Sequence, residues 1–465
     1  MGEPTILEQL EKIVGKENLS TEDADLLCYS RDASENVGKP DIIVWPSNPN
    51  QISEIMRLAN RLKVPVTPRG AGTCLSGGSV PARGGILLVL TRMNSILKIE
   101  VADLQVLVEC GVVWQDLNNA LASHGLFLPP DPASGDVCTI GGCIAEGAGG
   151  IRAVKYGTFR EWVLGLEVVL PTGETVWTGA ETRKCASGYD LTRLLMGSEG
   201  TLGVITKAWL KVFPLPRYRL IMSAYFNTLE GAGKAVFQVI SSGLSPSAAE
   251  LMDRNTITAV SKYMNMGFPD CAAMLILEFD GSFLSEVKTR MRRAQKICKT
   301  EGATGVAVTD TRAESDRLWQ ARKSALPALA TLKPTMKPST MLEDVTVPIS
   351  RVPEMLVQIE RTAQRHGVLI STFGHAGDGN LHPVIIYDER STEDVERAKR
   401  AAADIFNFGL QMGGTLSGEH GIGLSKAPYF AKEHGEAEIE VMRKIKGILD
   451  PKGILNPGKI WSESR

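Results

Sequence analysis

The order of apolar and turn-forming residues predicts an α+β protein whose texture changes near residue 216. Three observations carry this. A β-α-β unit near the start ends in a glycine-rich turn. Short strands with turn signals follow, as far as Pro214-Leu215-Pro216. Beyond that boundary, longer helical patterns alternate with strands. With 465 residues, 43% of them hydrophobic and 22% charged, the chain can bury large cores and hold roughly two to four domains, which excludes disordered and fibrous classes.

The elements follow in order. A helix over Ile6 to Val14 places apolar residues at 6, 10, 13 and 14 and stops at Gly15. A strand over Asp41 to Trp45 hands over at Ser47-Asn48-Pro49 to a helix with Ile52, Ile55, Met56, Ala59 and Leu62 on one stripe, and the strand Val64 to Thr67 completes the unit. Strands are then expected over Ile86 to Leu90, Ile96 to Val101 and Gln105 to Cys110, with a helix from Trp114 to His124. Leu166 to Leu170 and Thr175 to Trp177 flank the turn Pro171-Thr172-Gly173-Glu174, and Val204 to Phe213 closes this half. The second half reads as helices near 229–242, 284–300, 312–330, 351–366 and 393–411 with strands near 273–279, 341–347 and 368–373, an α+β arrangement of split β-α-β type. Glu436 to Ile460 holds one more helix and a Pro/Gly-rich tail.

Charge and cysteine usage narrow the function classes. A formal net charge of -2 provides no field for a polyanion, so no nucleic acid is expected. The basic stretch Lys288 to Lys296 reads as a solvated helix face, with partner docking as the alternative. The start, Met1-Gly2-Glu3-Pro4-Thr5-Ile6, lacks the features of a signal peptide or a myristoylation site. The longest uncharged apolar run, Ala272 to Leu277, is far short of the ~20 residues of a spanning helix. The expectation is a cytoplasmic chain with no transmembrane segment, membrane-associated only through a partner. The eight cysteines form no C-x-x-C pair, so zinc-ribbon and iron–sulfur ligation are absent and the thiols read as small buried residues.

Glycine is in excess, 46 residues against the roughly 7% typical of globular chains, and it is clustered. The first cluster is Pro68-Arg69-Gly70-Ala71-Gly72-Thr73-Cys74-Leu75-Ser76-Gly77-Gly78, directly after a strand. The second spans Pro130-Asp131 and Thr139-Ile140-Gly141-Gly142, then Gly147 to Gly150 and Gly157; the third is Gly197-Ser198-Glu199-Gly200-Thr201-Leu202-Gly203-Val204-Ile205. Glycine lets backbone N–H groups approach phosphate oxygens closely, yet neither a G-x-G-x-x-G fingerprint nor a P-loop is present. One such loop fits a tight turn as well as a ligand. Three within one domain are best explained by a long phosphorylated cofactor lying over all of them.

In order and spacing these loops resemble the FAD-binding domain of the vanillyl-alcohol-oxidase flavoprotein superfamily, in its D-lactate dehydrogenase, glycolate oxidase and D-2-hydroxyglutarate dehydrogenase branch. The resemblance covers nearly the whole chain, including Leu455-Asn456-Pro457-Gly458-Lys459. It implies a two-subdomain PCMH-type FAD-binding domain over 1–216, a ferredoxin-like α+β cap for substrate over 217–419, and a C-terminal segment, 420–465, returning to the FAD domain. By the same resemblance Pro68, Arg69, Gly70, Ala71, Gly72, Thr73, Ser76, Gly77 and Gly78 cradle the pyrophosphate. Pro130, Asp131, Thr139, Gly142, Gly149, Gly150 and Gly157 line the adenosine and flavin path. Glu199, Gly200, Val204, Ile205 and Asn456 complete the cofactor set. Covalent relatives often carry His in the first loop, where Thr73 and Cys74 stand, so the FAD is expected to be non-covalent.

Three of the six histidines fall in Gly374-His375-Ala376-Gly377-Asp378-Gly379-Asn380-Leu381-His382 and Ser417-Gly418-Glu419-His420-Gly421. Gly377-Asp378-Gly379 permits a bend that lets the two imidazoles face one another, and Glu419 could add a carboxylate oxygen. That set suits Zn²⁺, Mn²⁺ or Fe²⁺ with open positions; a metal-free catalytic cluster and satisfied structural histidines are the alternatives. The resemblance implies that His375, His382 and Glu419 bind a divalent ion, that Asn380 orients substrate or flavin, that His420 is the base, and that Arg322 with Lys337 clamps a substrate carboxylate. It further implies oxidation of D-lactate or glycolate by hydride transfer to FAD. D-2-hydroxyglutarate oxidation and a non-catalytic FAD-binding subunit are the alternatives. Lacking cluster or haem ligands, the chain is expected to pass electrons to an electron-transfer flavoprotein, an iron–sulfur subunit or a quinone; homo-oligomerisation is left open.

Overall fold

Local chemistry starts the first elements where the sequence marks them. Thr5 and Glu8 form a capping box at the helix Ile6–Val14. Asn48 accepts the Gln51 N–H through its side chain (3.1 Å), and Pro49 occupies the first turn of the helix Pro49–Leu62, where its missing N–H leaves no donor unmatched. That helix buries Ile52, Ile55, Met56 and Ala59.

The structure, a computed structural model, describes residues 4–309, 311–333, 335–342 and 344–462; residues 1–3, on which part of the N-terminal reading rests, lie outside them. The chain divides into two compact units, one of Met1–Ala148, Thr158–Leu215 and Glu419–Arg465, the other of Gly149–Gly157 and Pro216–Gly418.

The first unit holds two main sheets. One joins β1 (Leu19–Ser20), β2 (Ile42–Val44), β3 (Val66–Arg69) and β4 (Ile86–Val89) in the order β1-β2-β4-β3, with β2, β4 and β3 parallel as a β-α-β unit requires. The other is antiparallel, joining β5 (Ile96–Glu100), β6 (Gln105–Glu109), β7 (Val163–Val169), β8 (Thr175–Gly179) and β9 (Val204–Lys211) in the order β5-β6-β9-β7-β8. One apolar cluster runs through both sheets and takes in Ile454 and Leu455 from the far end of the chain. Leu455 forms a parallel bridge with Val66, and the Asn456 N–H donates to the Val66 carbonyl (2.7 Å).

The second unit is built on one antiparallel sheet. β10 (Tyr218–Phe226), β11 (Ala248–Asp253), β12 (Ala273–Gly281) and β13 (Ala303–Thr309) lie in the order β13-β10-β12-β11, with the helices Leu229–Ser241 and Leu284–Thr300 as connections. This is the ferredoxin-like arrangement. Numbered along the chain, β14 (Lys337–Pro338), β15 (Val345–Thr346), β16 (Leu369–His375) and β17 (Asn380–Tyr387) extend the sheet, β16 pairing with β11 and with β17.

Several elements differ from the sequence expectation. The helix expected over 312–330 is two, Arg312–Lys323 and Ala325–Ala330. Pro327 has no N–H for the Lys323 carbonyl and its ring crowds that group, so the helix ends at Ser324. The strand expected over 341–347 is reduced to Val345–Thr346, and residue 343 lies outside the described ones. The segment Gly149–Gly157 groups with the second unit because its side chains are tied to β12. Lys155 and Tyr156 bind Asp280, and Arg152 lies 3.4 Å from Glu278. Among the described residues no helix is long and apolar enough to cross a membrane.

Candidate active site

In the first unit, β3 delivers Arg69 into the first glycine loop. Arg69 is buried, lies over the Tyr29 ring (5.4 Å to its centroid), and has Nη1 buried without a hydrogen-bond partner. A Cβ at Gly70 would overlap the Thr139 hydroxyl, and Gly72 has φ +74° with the Arg69 guanidinium where a side chain would go. Only glycine allows both approaches. Thr139 in turn caps the helix Ile140–Glu146 by accepting the Gly142 N–H (3.3 Å). Gly200, at φ +64°, packs on Pro68. The Asn456 side-chain amide donates to the Gly78 and Glu199 carbonyls (2.9 and 2.7 Å), while its Oδ1 is buried and unpartnered. Loops one and three, Thr139 and the C-terminal Asn456 therefore converge. Pro130, Asp131, Val204 and Ile205 are buried in the same unit. Gly149, Gly150 and Gly157 instead lie in the segment that belongs to the second unit.

Glu199 uses its side chain within the protein. Its carboxylate accepts the Ile422 and Gly423 N–H groups, both at 2.7 Å, and burial pushes its pKa up against those donors. Ser76 completes the seam. Its hydroxyl donates to the His420 carbonyl (2.9 Å), and its own carbonyl accepts from Leu424 and Ser425. The segment bearing His420 is thus stitched to the first glycine loop.

In the second unit, His375 ends β16 and His382 lies on β17, the two strands of one hairpin. Phe373 pairs with His382 and His375 with Asn380, which puts both imidazoles on the same face. Their ring centroids are 5.1 Å apart, edge to face, and ring nitrogens of the two lie within 4.8 Å. Gly379 makes the hairpin possible. It has φ +86°, and a Cβ there would run into the Val347 carbonyl.

Two buried carboxylates meet this pair, and a third, Glu278, lies on the neighbouring strand β12. Glu250 on β11 accepts from His375 Nδ1 (2.7 Å) and pairs with Arg322 Nη2 (2.7 Å). Burial alone would raise its pKa, but His375 and Arg322 outweigh that and hold it below the usual carboxylate value. Arg322 is 5% exposed, lies 4.8 Å over the Phe373 ring, and has Nε buried without a hydrogen bond. Asp344, fully buried, accepts from Asn380 Nδ2 (2.5 Å), the Ser417 hydroxyl (2.5 Å) and the Gly418 N–H (3.1 Å), and has an oxygen within 4.8 Å of a His382 nitrogen. Asn380 Oδ1 is left buried and unpartnered. Glu278 accepts from Trp319 Nε1 (3.0 Å) and the Ser247 hydroxyl (2.9 Å).

His375, His382, Asn380 and Arg322 are thus gathered in the second unit. Glu419 and His420 belong to the first unit, Glu419 following Gly418 by one peptide bond. Lys337 is not gathered with Arg322. It pairs with Glu389 (2.5 Å), and its strand position lies opposite Tyr387, five residues along β17 from His382, or roughly 16 Å. Glu250 and Asp344 went unread in the sequence. The signal available was an acid inside an apolar strand, as in Ala248-Ala249-Glu250-Leu251-Met252.

Residues 215–460 match the family model for the C-terminal domain of FAD linked oxidases, and residues 40–179 match an FAD binding domain. The chain is 42% identical to the glycolate oxidase subunit GlcD of Bacillus subtilis, covering 98% of this chain and 97% of that one. The chain belongs to the FAD-linked oxidases. It is also 34% identical to the mitochondrial D-lactate dehydrogenase [cytochrome] of Arabidopsis thaliana, over 98% of this chain and 80% of the relative. Among solved structures, p-cresol methylhydroxylase shares the fold with a TM-score of 0.78 at 17% identity, covering 97% of this chain and 95% of that one. This FAD-linked oxidase is an oxidoreductase with FAD as cofactor, and its residues fit that group. The unpartnered Arg69 Nη1 is a cation for a phosphate, and the loop at Gly70 and Gly72 keeps side chains out of a close backbone approach.

Proposed function

We propose that this FAD-linked oxidase is a D-2-hydroxy-acid dehydrogenase acting on D-lactate or glycolate, with a divalent ion held by His375, His382 and Glu419. The observation that carries the reading is the buried assembly of Arg322, Glu250 and His375 with His382 beside it: a cation fit for a carboxylate next to a pair of imidazoles. The names of the relatives, a glycolate oxidase subunit and a D-lactate dehydrogenase, point to the same substrate class.

The His375 and His382 nitrogens lie within 4.8 Å of one another, and two ligands at about 2.0–2.1 Å from one zinc stand about 3.4 Å apart in a tetrahedron, so a small side-chain adjustment would bring both onto one ion. His375 donates Nδ1–H to Glu250, which leaves Nε2 as its ligand atom. Asp344 holds Gly418, and so fixes the backbone from which Glu419 starts. FAD supplies hydride acceptance at its flavin ring, and a divalent ion supplies Lewis acidity toward the substrate hydroxyl. The protein does the rest. Arg322 binds the substrate carboxylate through its fork, Asn380 Oδ1 accepts a hydrogen bond from the substrate, and His420 takes the hydroxyl proton at a ring nitrogen. The non-covalent cofactor contacts proposed are those of the first glycine loop, Thr139, Gly200 and Asn456. Electrons then leave to a partner, an electron-transfer flavoprotein or an iron–sulfur subunit, in keeping with a relative named as a subunit.

Anaerobic bleaching of the flavin absorbance with a panel of D- and L-2-hydroxy acids, with and without chelator, tests this. D-lactate or glycolate should bleach the flavin, L-lactate should not, and chelator should slow the reaction. Failure of every 2-hydroxy acid to bleach it would overturn the proposal. His420→Ala should slow bleaching by roughly 10²–10⁴-fold.

A further inference from the structure

We infer that Glu250 is a positioning residue that sets two functional groups at once, the Arg322 guanidinium and the His375 imidazole. The inference rests on the reading of Arg322 as carboxylate clamp and His375 as metal ligand, and it deepens that reading. Glu250 stands on β11, where Leu251 pairs with Gly374 of β16, so the register places Glu250 across from His375. Its side chain is fully buried. A bare carboxylate there would be strongly unfavourable, and two partners offset the cost: Oε1 is hydrogen-bonded to His375 Nδ1, while Oε2 is held by the charge of Arg322, whose Nη2 lies 2.7 Å away without a hydrogen bond to it.

Two consequences follow from one side chain. An ionised carboxylate only accepts, so the Nδ1 of His375 carries the proton and Nε2 keeps its lone pair. The same charge anchors one nitrogen of Arg322, which the Phe373 ring supports from below, while Nε remains buried and unpartnered as a donor for a ligand. Glu250 is therefore the joint between three elements: β11, the helix Arg312–Lys323, and β16. Gln has the same shape but can accept toward only one of the two partners, and it turns an NH₂ donor toward the other.

The test uses the full-length, FAD-loaded protein with Glu250→Gln and Glu250→Asp. Zn²⁺ and Mn²⁺ affinity is measured by competition with a chelating dye after metal stripping, beside KM and kcat for the D-2-hydroxy acid that bleaches the flavin. In E250Q, metal affinity should fall 10–100-fold, as is typical when the orienting partner of a ligating histidine is lost. KM should rise about tenfold or more while kcat, measured at saturating substrate and metal, falls less. E250D, which keeps the charge, should recover part of both. Values within twofold of wild type on both measures in E250Q overturn the inference and leave the proposed function standing. A change in only one of the two overturns the claim that a single carboxylate sets both groups. If the wild type binds no divalent ion, the metal reading fails and the two-group inference fails with it, whatever KM shows for Arg322. A wild type that neither binds metal nor oxidises any D-2-hydroxy acid overturns both. If E250Q does not fold, E250D decides by the same measures, and wild-type-like behaviour of it at unchanged Tm counts against a fixed geometry.

Discussion

Asp344→Asn removes a charge while keeping the shape of a fully buried side chain. The carboxylate accepts from three donors: Asn380 Nδ2, the Ser417 hydroxyl and the Gly418 N–H. Hydrogen bonds to a charged group contribute about 1.5–3 kcal/mol each, against about 0.5–1.5 for neutral ones, so neutralising the acceptor loses about 1 kcal/mol per donor. The asparagine NH₂ also faces a donor. Ser417 can turn its hydroxyl to accept, whereas the Gly418 N–H, shared between both carboxylate oxygens (3.2 and 3.1 Å), keeps one neutral acceptor and meets the new NH₂ on its other side. Relief from burying a charge offsets part of this, leaving about 2–3 kcal/mol. In a unit of roughly 200 residues that lowers Tm by about 4–12 °C. The Asn380 amide also loses its strongest anchor, and a misplacement on the order of 1 Å at a positioning group slows turnover by up to about 10²-fold. Scanning calorimetry and steady-state rates of the purified variant measure both. A Tm within 1 °C of wild type together with turnover within twofold would refute the reasoning.

Asp253 caps the helix Arg254–Met264 and also accepts the Thr372 N–H (both 2.8 Å), while burial pushes its carboxyl up to about 6 against these donors. A folded pKa above the unfolded value of 3.8 means that the folded state holds the proton more tightly, so this stabilisation is full below pH 4 and is lost as pH rises through 6. The stability advantage of wild type over Asp253→Asn should shrink by about 2.4 kcal/mol between pH 4 and 7.5 in parallel urea titrations; a pH-independent difference would sink the assignment. Burial also pushes the Cys110 and Cys298 thiols up to about 12, whereas Cys28 and Cys185 are exposed. Iodoacetamide at pH 8 should modify Cys28 and Cys185 in the folded protein and reach Cys110 and Cys298 only after denaturation, as read by peptide mass spectrometry; early labelling of Cys110 would contradict its burial.

Where a residue acts through its own backbone neighbourhood, the sequence was readable. Asn48-Pro49 announced a helix start, Gly377-Asp378-Gly379 announced a bend between His375 and His382, and the glycine clusters announced close approaches that Gly70, Gly72 and Gly200 make. Where a residue acts through a partner distant in the chain, it was not. Glu250 in Ala-Ala-Glu-Leu-Met-Asp resembles the solvent-facing member of an alternating strand, and only the pairing of β11 with β16 shows that it meets a histidine 125 residues away. Asp344 is hidden for the same reason. Lys337 shows the converse, a cation expected in a clamp that pairs with Glu389 because its strand sits at the other end of β17. Two of the eight thiols, Cys28 at the end of the helix Asp23–Cys28 and Cys185, are exposed where burial was expected, since nothing in the composition tells a core cysteine from one at the surface.

The bridge between Val66 and Leu455 bears on how the molecule is made. The sheet that holds β3 waits for a segment translated almost four hundred residues later, and the whole second unit intervenes. At about 5–20 residues per second, the first unit stays without its closing segment for on the order of 10–50 s after Leu215 leaves the ribosome. During that interval Val66 offers an unpaired edge and the apolar surface meant for Ile454 and Leu455 is open to solvent. The second unit, continuous but for Gly149–Gly157, can fold in the meantime. A compact intervening body spans less than the same residues as a flexible chain, which lowers the cost of closing the last segment onto β3. Closing the first unit is thus a late, long-range step whose entropic cost depends on how far the intervening residues have already become compact.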